Sequence, residues 1–386
     1  KAIGLPKSTI EFDLKFSNGL LGKAAKGISE LSDEKLQMLE KYFAEKIPTN
    51  KPTEKQVVVT PKAELKSVPS KQTVARMSEV MKELNKRFGE GTIMTLGDKP
   101  TASYSVVSSG SIGLEDALGI GGFPLGRIVE IFGMESSGKT TIAIHALANA
   151  QKRGLKCLYV DAENAFDIDY ANALGVDVDS LQYCQPSCGE DALEVTEKMI
   201  LSGEAQVVVI DSVAALVPRA ELLGEMGESK MGLHARLMSQ ACRKLVNITA
   251  KQNALVIFIN QIRHKIGVMF GSPEVTTGGL ALQFYATMRL NVSRSTTEKN
   301  SQVNDEGEKE GNLTTVRVIK NKCSAPFKTA QFNIMYGQGI DAVGEVAVIG
   351  IKNNLLKGKY ATVRENLISD ADLYEKTKQQ IIKLNK

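Results

Sequence analysis

A glycine-rich stretch at residues 133–140 carries the clearest chemical signal in this sequence. It reads Gly-Met-Glu-Ser-Ser-Gly-Lys-Thr, which is the G-x-x-x-x-G-K-T pattern of a phosphate-binding P-loop. Glycines let the backbone wrap closely around a polyphosphate, with N–H groups and a helix N-terminus directed at it. Lys139 can then reach the β- and γ-phosphates, and the Thr140 hydroxyl can ligate Mg²⁺. The alternative interpretation is an ordinary glycine turn that caps a helix.

Two carboxylates follow predicted strands and could act on a bound phosphate. Asp211 ends the apolar run 207–210, and an acid at the carboxyl end of a central strand beside a P-loop is placed to hold the Mg²⁺ hydration shell. Glu163 follows the strand predicted at 157–161, and hydrolysis of a γ-phosphate needs a carboxylate that orients or deprotonates water. Asp211 could instead cap a helix. Glu163 could be a solvated loop acid, and the residues alone leave both readings of it open.

An amide and two glycine-containing loops suggest how a phosphate signal could reach a second ligand. Gln261 ends a predicted strand and could sense a γ-phosphate, passing the signal to residues 262–279. A long loop that contains glycine inside a compact domain is usually functional, and cations with backbone N–H groups suit a phosphodiester backbone. The loop 224–232 precedes the helix that carries Arg236 and Arg243. Both loops could instead be a lid or a subunit contact.

Two lysines, Lys320 and Lys322, flank an asparagine at the end of a predicted strand far along the chain from the P-loop. Such a pair is usually a solvated strand end. The alternative is an arginine-finger-like role, in which the lysines reach a phosphate bound by a neighbouring subunit.

These side chains need a sheet that brings several strand ends together, and the hydrophobic pattern predicts one. Strands are predicted over 128–132, 157–161, 206–210 and 254–261, and helices over 140–153, 192–201 and 232–251. Such alternation predicts an α/β fold with a mostly parallel sheet and helices on both faces. Residues 286–292 and 314–319 are predicted to be antiparallel additions, joined by an exposed loop over 296–312.

The composition is that of a soluble globular protein with room for two or three domains. The chain has 386 residues, 42% of them apolar and 24% charged. Its net charge of +4 says little, so any nucleic-acid binding must come from the local placement of charge. No stretch approaches the ~18 apolar residues of a transmembrane helix. Five scattered cysteines predict reduced thiols in a cytosolic setting.

The N-terminal part of the sequence is less regular. Residues 32–43 predict one helix and residues 72–88 a second, clearer helix that ends at Gly89. Residues 47–71 between them are rich in proline, lysine, threonine and serine, which is typical of a linker.

Taken together, these motifs resemble the bacterial RecA recombinases. The match runs in order from about Gln72 to Gly350 and takes in the P-loop, 161–163, 209–216, 259–263, 267–271 and 320–328. The resemblance implies a RecA-like P-loop ATPase core with a mostly parallel central sheet, an N-terminal polymerisation helix and a small α/β C-terminal domain. The implied domains are an extension and linker at 1–70, the polymerisation helix and a strand at 71–104, the core with its DNA-binding loops at 105–340, and the C-terminal domain at 341–386.

The same resemblance implies an ATP-dependent homologous recombinase with DNA-dependent ATPase activity. Proteins of this family form a helical filament on single-stranded DNA, with ATP between adjacent subunits, and promote pairing and strand exchange with homologous duplex DNA. The implied cofactors are ATP and Mg²⁺, and the implied partners are both kinds of DNA, further copies of the chain, and loading or regulatory proteins, in the cytoplasm and without a membrane. Two alternatives are a ring-forming helicase or motor ATPase on the same fold, and a DNA-binding scaffold that holds ATP without hydrolysing it. We predict that residues 1–70 are a partner-docking or filament-surface element.

Residue roles carry over position by position from the resemblance. The implied catalytic residues are Glu163, Lys139, Gln261, Lys320 and Lys322, the lysines at 320 and 322 acting on a neighbour's nucleotide. The implied nucleotide-binding residues are Gly133, Glu135, Ser136, Ser137, Gly138, Lys139, Thr140, Thr141, Asp167, Tyr170 and Asp211, with Tyr336 and Gly337 approaching from the neighbouring subunit. Thr140 and Asp211 hold Mg²⁺, the latter through water. The implied DNA-binding residues are Met231, Gly232, Arg236, Ser239, Arg243, Arg263, Ile266, Gly267, Thr276, Thr277, Gly278 and Gly279.

Three positions depart from the family's pattern. Gln283 stands where a lysine is common at the subunit interface, Leu280 where an asparagine is usual, and Asn164 where a histidine frequently follows the catalytic glutamate. These departures bear on subunit coupling and DNA contact rather than on the activity itself.

Overall fold

The chain divides into two units, residues 1–99 and residues 100–386. The computed structural model describes residues 32–46, 71–89, 93, 104–225, 232–264, 274–295, 301–303 and 309–384.

The first unit contains both helices predicted for the N-terminal part. Helix α1 spans Asp33–Lys46 and helix α2 spans Lys71–Phe88. Helix α2 ends where Gly89 takes a φ of 103° and its N–H donates to the carbonyl oxygen of Asn85 at 2.9 Å. A positive φ is readily adopted by glycine, so the predicted stop at Gly89 is confirmed. The strand predicted at 92–94 lies outside the described residues except for Ile93, which is in a bend.

The second unit is built on a large sheet with helices around it. Its strands are β1 Val106–Val107, β2 Phe123–Pro124, β3 Ile128–Gly133, β4 Cys157–Asp161, β5 Gln182–Cys184, β6 Val207–Asp211, β7 Leu255–His264, β8 Glu274–Thr276, β9 Met288–Arg294, β10 Ser301–Val303, β11 Lys309–Asn321, β12 Thr329–Met335 and β13 Gly339–Ile340. Its helices are α3 Ile112–Leu118, α4 Lys139–Gln151, α5 Ile168–Ala173, α6 Gly189–Leu201, α7 Arg219–Leu222, α8 Leu233–Gln252, α9 Ala281–Tyr285, α10 Ala342–Lys352, α11 Tyr360–Ser369 and α12 Ala371–Leu384.

The strand order confirms a mostly parallel central region. Neighbouring strands follow the order β13-β12-β11-β9-β3-β7-β6-β4-β5. All pairs from β9 to β5 are parallel, so the carboxyl ends of β3, β4, β6 and β7 lie along one edge. That edge holds the P-loop, Glu163, Asp211 and Gln261, and in an open α/β sheet it is where ligands bind.

One predicted strand direction is wrong. Strand β9 was expected to be an antiparallel addition, but it runs parallel to β3, with Ile131 opposite Leu290. Antiparallel pairing begins one strand later, between β9 and β11. The residues of β9 do not encode its direction, because an apolar run that is buried on both faces suits either kind of neighbour.

The sheet separates two apolar cores, because successive residues of a strand face opposite sides. On one side Val129, Ile131 and the apolar face of α4 are buried together. On the other side Ile128 and Phe258 pack with residues of α6 and α8. Continuous apolar strands such as β6 are therefore required, since both faces are covered by helices.

Two predicted loops are more regular than expected. Strand β7 continues to His264 and pairs antiparallel with β8, so a short two-stranded ribbon forms the base of the segment 262–279. In the segment 296–312, β10 pairs with the start of β11. In both segments the strand partner lies several residues away in the chain. It carries no strong hydrophobic pattern of its own, so the sequence does not indicate the pairing.

The C-terminal part differs from the predicted α/β domain. Its described residues 342–384 form the three helices α10, α11 and α12 and contain no strand. Their apolar core includes Val346, Leu367 and Ile381, together with Ile112 of α3. The helices are thus packed on the sheet-containing core.

None of the helices within the described residues has the length and apolar character that crossing a membrane requires.

Candidate functional site

The P-loop connects β3 to α4 in a conformation that only particular residues can adopt. A Cβ at Gly133 would lie 2.1 Å from the carbonyl oxygen of Val292, and one at Gly138 would lie 2.4 Å from the Ile334 side chain. Gly138 is the N-cap of α4 with a φ of 94°, which favours glycine. Gly133 is therefore required by the close approach of the β9 backbone, and Gly138 by the left-handed conformation of the turn.

The loop has the features of a polyphosphate cradle. Lys139 is largely buried, and its ammonium donates a hydrogen bond to the carbonyl oxygen of Met134 at 2.7 Å. Burial lowers the pKa of Lys139, and this effect is opposed by Asp211, Glu163 and Glu135. The hydroxyl of Ser137 is buried without a hydrogen-bond partner. An unpaired buried hydroxyl beside a buried cation and a helix N-terminus fits an anionic ligand.

Asp211 and Thr140 are brought together at the expected metal position. Thr140 Oγ1 donates to Asp211 Oδ2 at 2.8 Å, and the Tyr159 hydroxyl donates to the same oxygen at 2.9 Å. Burial raises the pKa of Asp211, whereas these two hydrogen bonds lower it. An oxygen-only donor set with a carboxylate at its centre fits hydrated Mg²⁺.

Glu163 and Gln261 meet at the same edge of the sheet. Gln261 Nε2 donates to Glu163 Oε1 at 3.0 Å, and the Ser212 hydroxyl donates to the same carboxylate oxygen. Glu163 is otherwise exposed, so it faces the space above the strands where a water molecule can enter. This position is compatible with the predicted role of Glu163, which stays a prediction.

One buried group that supports Glu163 was missed by sequence reasoning. Asp161 at the end of β4 accepts hydrogen bonds from Phe166 N at 3.1 Å and from the Tyr183 hydroxyl at 2.8 Å. It thereby shapes the loop that carries Glu163. Asn164 in this loop has a φ of 55°, a conformation that asparagine tolerates better than most residues. Adjacency to Glu163 was the only sequence signal for Asp161.

A cavity of about 230 Å³ extends from the P-loop, as would suit the rest of a nucleotide. Tyr170 lines it and its hydroxyl is hydrogen-bonded to Thr141 Oγ1 at 2.9 Å, while Asp167 caps α5 beside it. Tyr336 also lines this cavity of its own chain, so within one subunit it lies beside the P-loop. The reason is that β12 passes over the P-loop, where Ile334 meets Gly138. Gly337 is not among the lining residues.

The two lysines at the end of β11 are not brought to the P-loop of their own chain. Lys320 lies opposite Arg289 of β9, which in turn lies opposite Glu130, well before the end of β3. Its ammonium donates to the carbonyl oxygens of Gln283 and Phe284, at 2.5 and 2.9 Å. Burial lowers the pKa of Lys320 to about 8, with Lys322 and Arg289 adding to the effect.

The described part of the predicted DNA-binding surface centres on α8. Arg236, Ser239 and Arg243 recur along one side of the helix, and both arginines are exposed. Cβ atoms at Gly278 and Gly279 would lie 2.9 Å from Val213 and 2.8 Å from Ala235, so the returning arm of segment 262–279 packs closely beside α8. Arg263 is exposed on β7, and Thr276 and Thr277 lead into the two glycines. Gly232 is the N-cap of α8. Met231, Ile266 and Gly267 lie outside the described residues.

Comparison with known proteins finds one matching family and several similar relatives. Residues 75–341 match the family described as the RecA N-terminal domain. Protein RecA of Gluconacetobacter polyoxogenes is 53% identical over 277 residues, which cover 72% of this chain and 78% of the relative. Protein RecA of Chloroherpeton thalassium is 54% identical over 282 residues, covering 73% and 78%. Protein RecA of Latilactobacillus sakei is 51% identical over 282 residues, also covering 73% and 78%. With the family match spanning more than half of its length, this chain belongs to the RecA family.

Proposed function

We propose that this protein is an ATP-dependent homologous recombinase that forms a helical filament on single-stranded DNA and promotes homologous pairing and strand exchange. The observation that carries the proposal is the hydrogen bond between Gln261 and Glu163. This bond connects Glu163, the carboxylate suited to hydrolysis, with strand β7. Strand β7 leads directly into the segment 262–279. A nucleotide site and a nucleic-acid surface are thereby connected within one strand.

In this proposal each polar group at the sheet edge has a separate role. The P-loop N–H groups, Ser137 and Lys139 bind the phosphates, and the Thr140 hydroxyl with Asp211 would hold Mg²⁺, which neutralises phosphate charge when bound. Glu163 orients a water molecule and accepts its proton. Tyr170 and Tyr336 hold the base in the adjoining cavity. Membership of the RecA family supports these roles.

The DNA surface follows from the charges on α8 and β7. Arg236, Arg243 and Arg263 provide exposed cations, and the glycine backbone at 278–279 supports close approach of a phosphodiester chain. Because phosphate contacts carry no base information, we expect binding with strong salt dependence and little sequence preference. Release of the γ-phosphate removes the group that Gln261 is predicted to sense. Binding of ATP should therefore raise the affinity for DNA, and binding of DNA should raise the affinity for ATP by the same factor.

The test is ATP hydrolysis measured with and without single-stranded DNA, combined with electron microscopy in a slowly hydrolysed ATP analogue. We expect DNA to stimulate hydrolysis and the analogue to produce helical filaments. Lys139→Ala should abolish hydrolysis, whereas Lys156→Ala, which removes an exposed lysine paired with Glu204, should not. Hydrolysis that ignores DNA, or closed rings in place of filaments, would contradict the proposal.

A further inference from the structure

Asn260 is a completely buried amide placed between the nucleotide site and the predicted DNA loop. Its Oδ1 accepts hydrogen bonds from Gln261 N at 2.8 Å and from the Thr277 hydroxyl. Its Nδ2 donates to Glu130 Oε1 at 2.9 Å and to the carbonyl oxygen of Thr277 at 3.1 Å. One side chain therefore binds the backbone of Gln261 and both polar groups of Thr277.

The third partner, Glu130, is fixed just below the P-loop. It is fully buried on β3, three residues before Gly133, and its other oxygen pairs with Arg289 Nε. The Arg289 guanidinium lies over the Phe132 ring at 4.6 Å from its centre. A buried carboxylate needs such partners, because leaving it unpaired is strongly unfavourable. Asn260 is thus attached to an ion pair that belongs to the strand leading into the P-loop.

Adjacent residues of β7 face opposite ways, and the two sides of this strand have different partners. Gln261 reaches Glu163 on one side, and Asn260 reaches Thr277 on the other. The arm of segment 262–279 that leaves β7 therefore follows Gln261 directly. The arm that returns is held at Thr277 by Asn260. A shift of the Gln261 backbone must move the acceptor that holds Thr277.

We propose that Asn260 is a positioning residue that ties the returning arm of the DNA loop to the nucleotide state, acting through Thr277 and anchored on Glu130. The inference rests on the proposed function, because it names the second connection by which ATP controls the grip on DNA. Gln261 alone fixes only the first arm. A loop with one free arm would respond weakly, since both ends must be ordered before its backbone can bind phosphates.

The coupling is measured as a ratio of two dissociation constants. A fluorescent oligothymidylate is titrated with protein in the slowly hydrolysed ATP analogue and again in ADP, and the two affinities are compared. Wild-type protein should bind about tenfold or more tightly with the analogue, within the usual range of coupling energies. Asn260→Leu should reduce this ratio to below about threefold while changing the affinity in ADP little. Thr196→Val is the matched control, since it removes a fully buried hydroxyl that donates to the carbonyl oxygen of Ala192 in its own helix α6.

Variants of Thr277 separate positioning from simple loss of stability. Thr277→Val removes the hydroxyl that reaches Asn260 and should reduce the ratio, whereas Thr277→Ser keeps that hydroxyl and should restore it. The double variant Asn260→Leu/Thr277→Val should be no worse than Asn260→Leu, because both changes break one connection.

Three results would overturn the inference. The first is that Asn260→Leu and Thr277→Val keep the wild-type ratio of dissociation constants. The second is that the effects of the two substitutions multiply in the double variant. The third is that Thr277→Ser lowers the ratio as much as Thr277→Val does. If the wild-type protein binds DNA equally tightly with the ATP analogue and with ADP, the proposed function itself is contradicted. The two failures are therefore distinguishable.

Discussion

At the scale of single residues, the organisation of the site depends on one carboxylate oxygen. Glu163 Oε1 accepts hydrogen bonds from both Ser212 and Gln261. Ser212 follows Asp211 on β6, and Gln261 lies on β7, so the oxygen lies between two strands. In the proposed function this one oxygen serves both hydrolysis and signalling, so Glu163 is the residue at which the two roles are tested.

We predict that Glu163→Gln abolishes hydrolysis without abolishing nucleotide binding. An amide has nearly the same shape but cannot accept a proton from water, and general base catalysis contributes about 100-fold to 10,000-fold. ATP hydrolysis should fall by at least about 100-fold, whereas binding of a fluorescent ATP analogue should be retained. Glu204→Gln, on the exposed surface, is the control. Retained hydrolysis in Glu163→Gln would show that Glu163 is only a loop acid.

The sequence indicated the predicted phosphate-binding residues far more clearly than the residues that hold those side chains in place. Lys139, Thr140 and Asp211 belong to motifs with fixed local spacing, so their meeting could be predicted. Asn260 and Asp161 gain their roles from partners such as Glu130 and Tyr183, which are 130 and 22 residues away in the chain. Contacts of that kind are set by the order of strands in the sheet, and no local pattern records them.

At the scale of elements, predictions succeeded where burial dictates the sequence. Strands β4 and β6 are continuous apolar runs up to a final aspartate because both faces are covered, and this pattern is readable. The direction of β9 and the ribbon of β7 with β8 were not readable. Each depends on which neighbour an element meets rather than on its own composition.

The junction of α3 with α10 leads to a prediction about pH. Glu345 of α10 is buried, and its carboxylate accepts hydrogen bonds from Ser111 Oγ at 2.7 Å, Ile112 N at 3.0 Å and Gly113 N at 2.9 Å. Burial raises the pKa of Glu345 to about 7, and this exceeds the opposing effect of the three hydrogen bonds. Between the unfolded pKa of 4.5 and about 7, the folded protein therefore binds more protons than the unfolded chain.

It follows that stability contributed by Glu345 is fully present below pH 4.5 and is lost as the pH rises to about 7. The free energy of unfolding should fall over this window by at most about 3 kcal/mol relative to a Glu345→Gln variant, which does not titrate. Urea unfolding followed by circular dichroism at pH 5 and pH 8 tests this. Parallel behaviour of the two proteins across the window would contradict the raised pKa.

At the scale of the whole molecule, the positions of the lysines suggest a site completed by a second copy of the chain. Lys320 and Lys322 lie near α9 rather than at their own P-loop, and their ammonium groups are held by main-chain oxygens. The exposed side chains of Leu280, which precedes α9, and Phe284 on α9 lie in the same region. Burial and neighbouring cations lower the pKa of Lys320 to about 8. An incoming phosphate would stabilise the charged form of this lysine.

We therefore predict that two inactive variants restore each other when mixed. Lys139→Ala keeps the lysines of β11 but cannot bind phosphate, whereas Lys320→Ala/Lys322→Ala keeps the P-loop but lacks the cations. In a head-to-tail assembly of equal amounts, about one contact in four joins an intact P-loop to intact lysines, so about a quarter of wild-type DNA-stimulated hydrolysis should return. Mixing Lys139→Ala with Glu163→Gln is the control, because both changes lie on the same side of the contact and no intact site can form. If the first mixture is as inactive as this control, the lysines act within their own chain or do not act on the nucleotide.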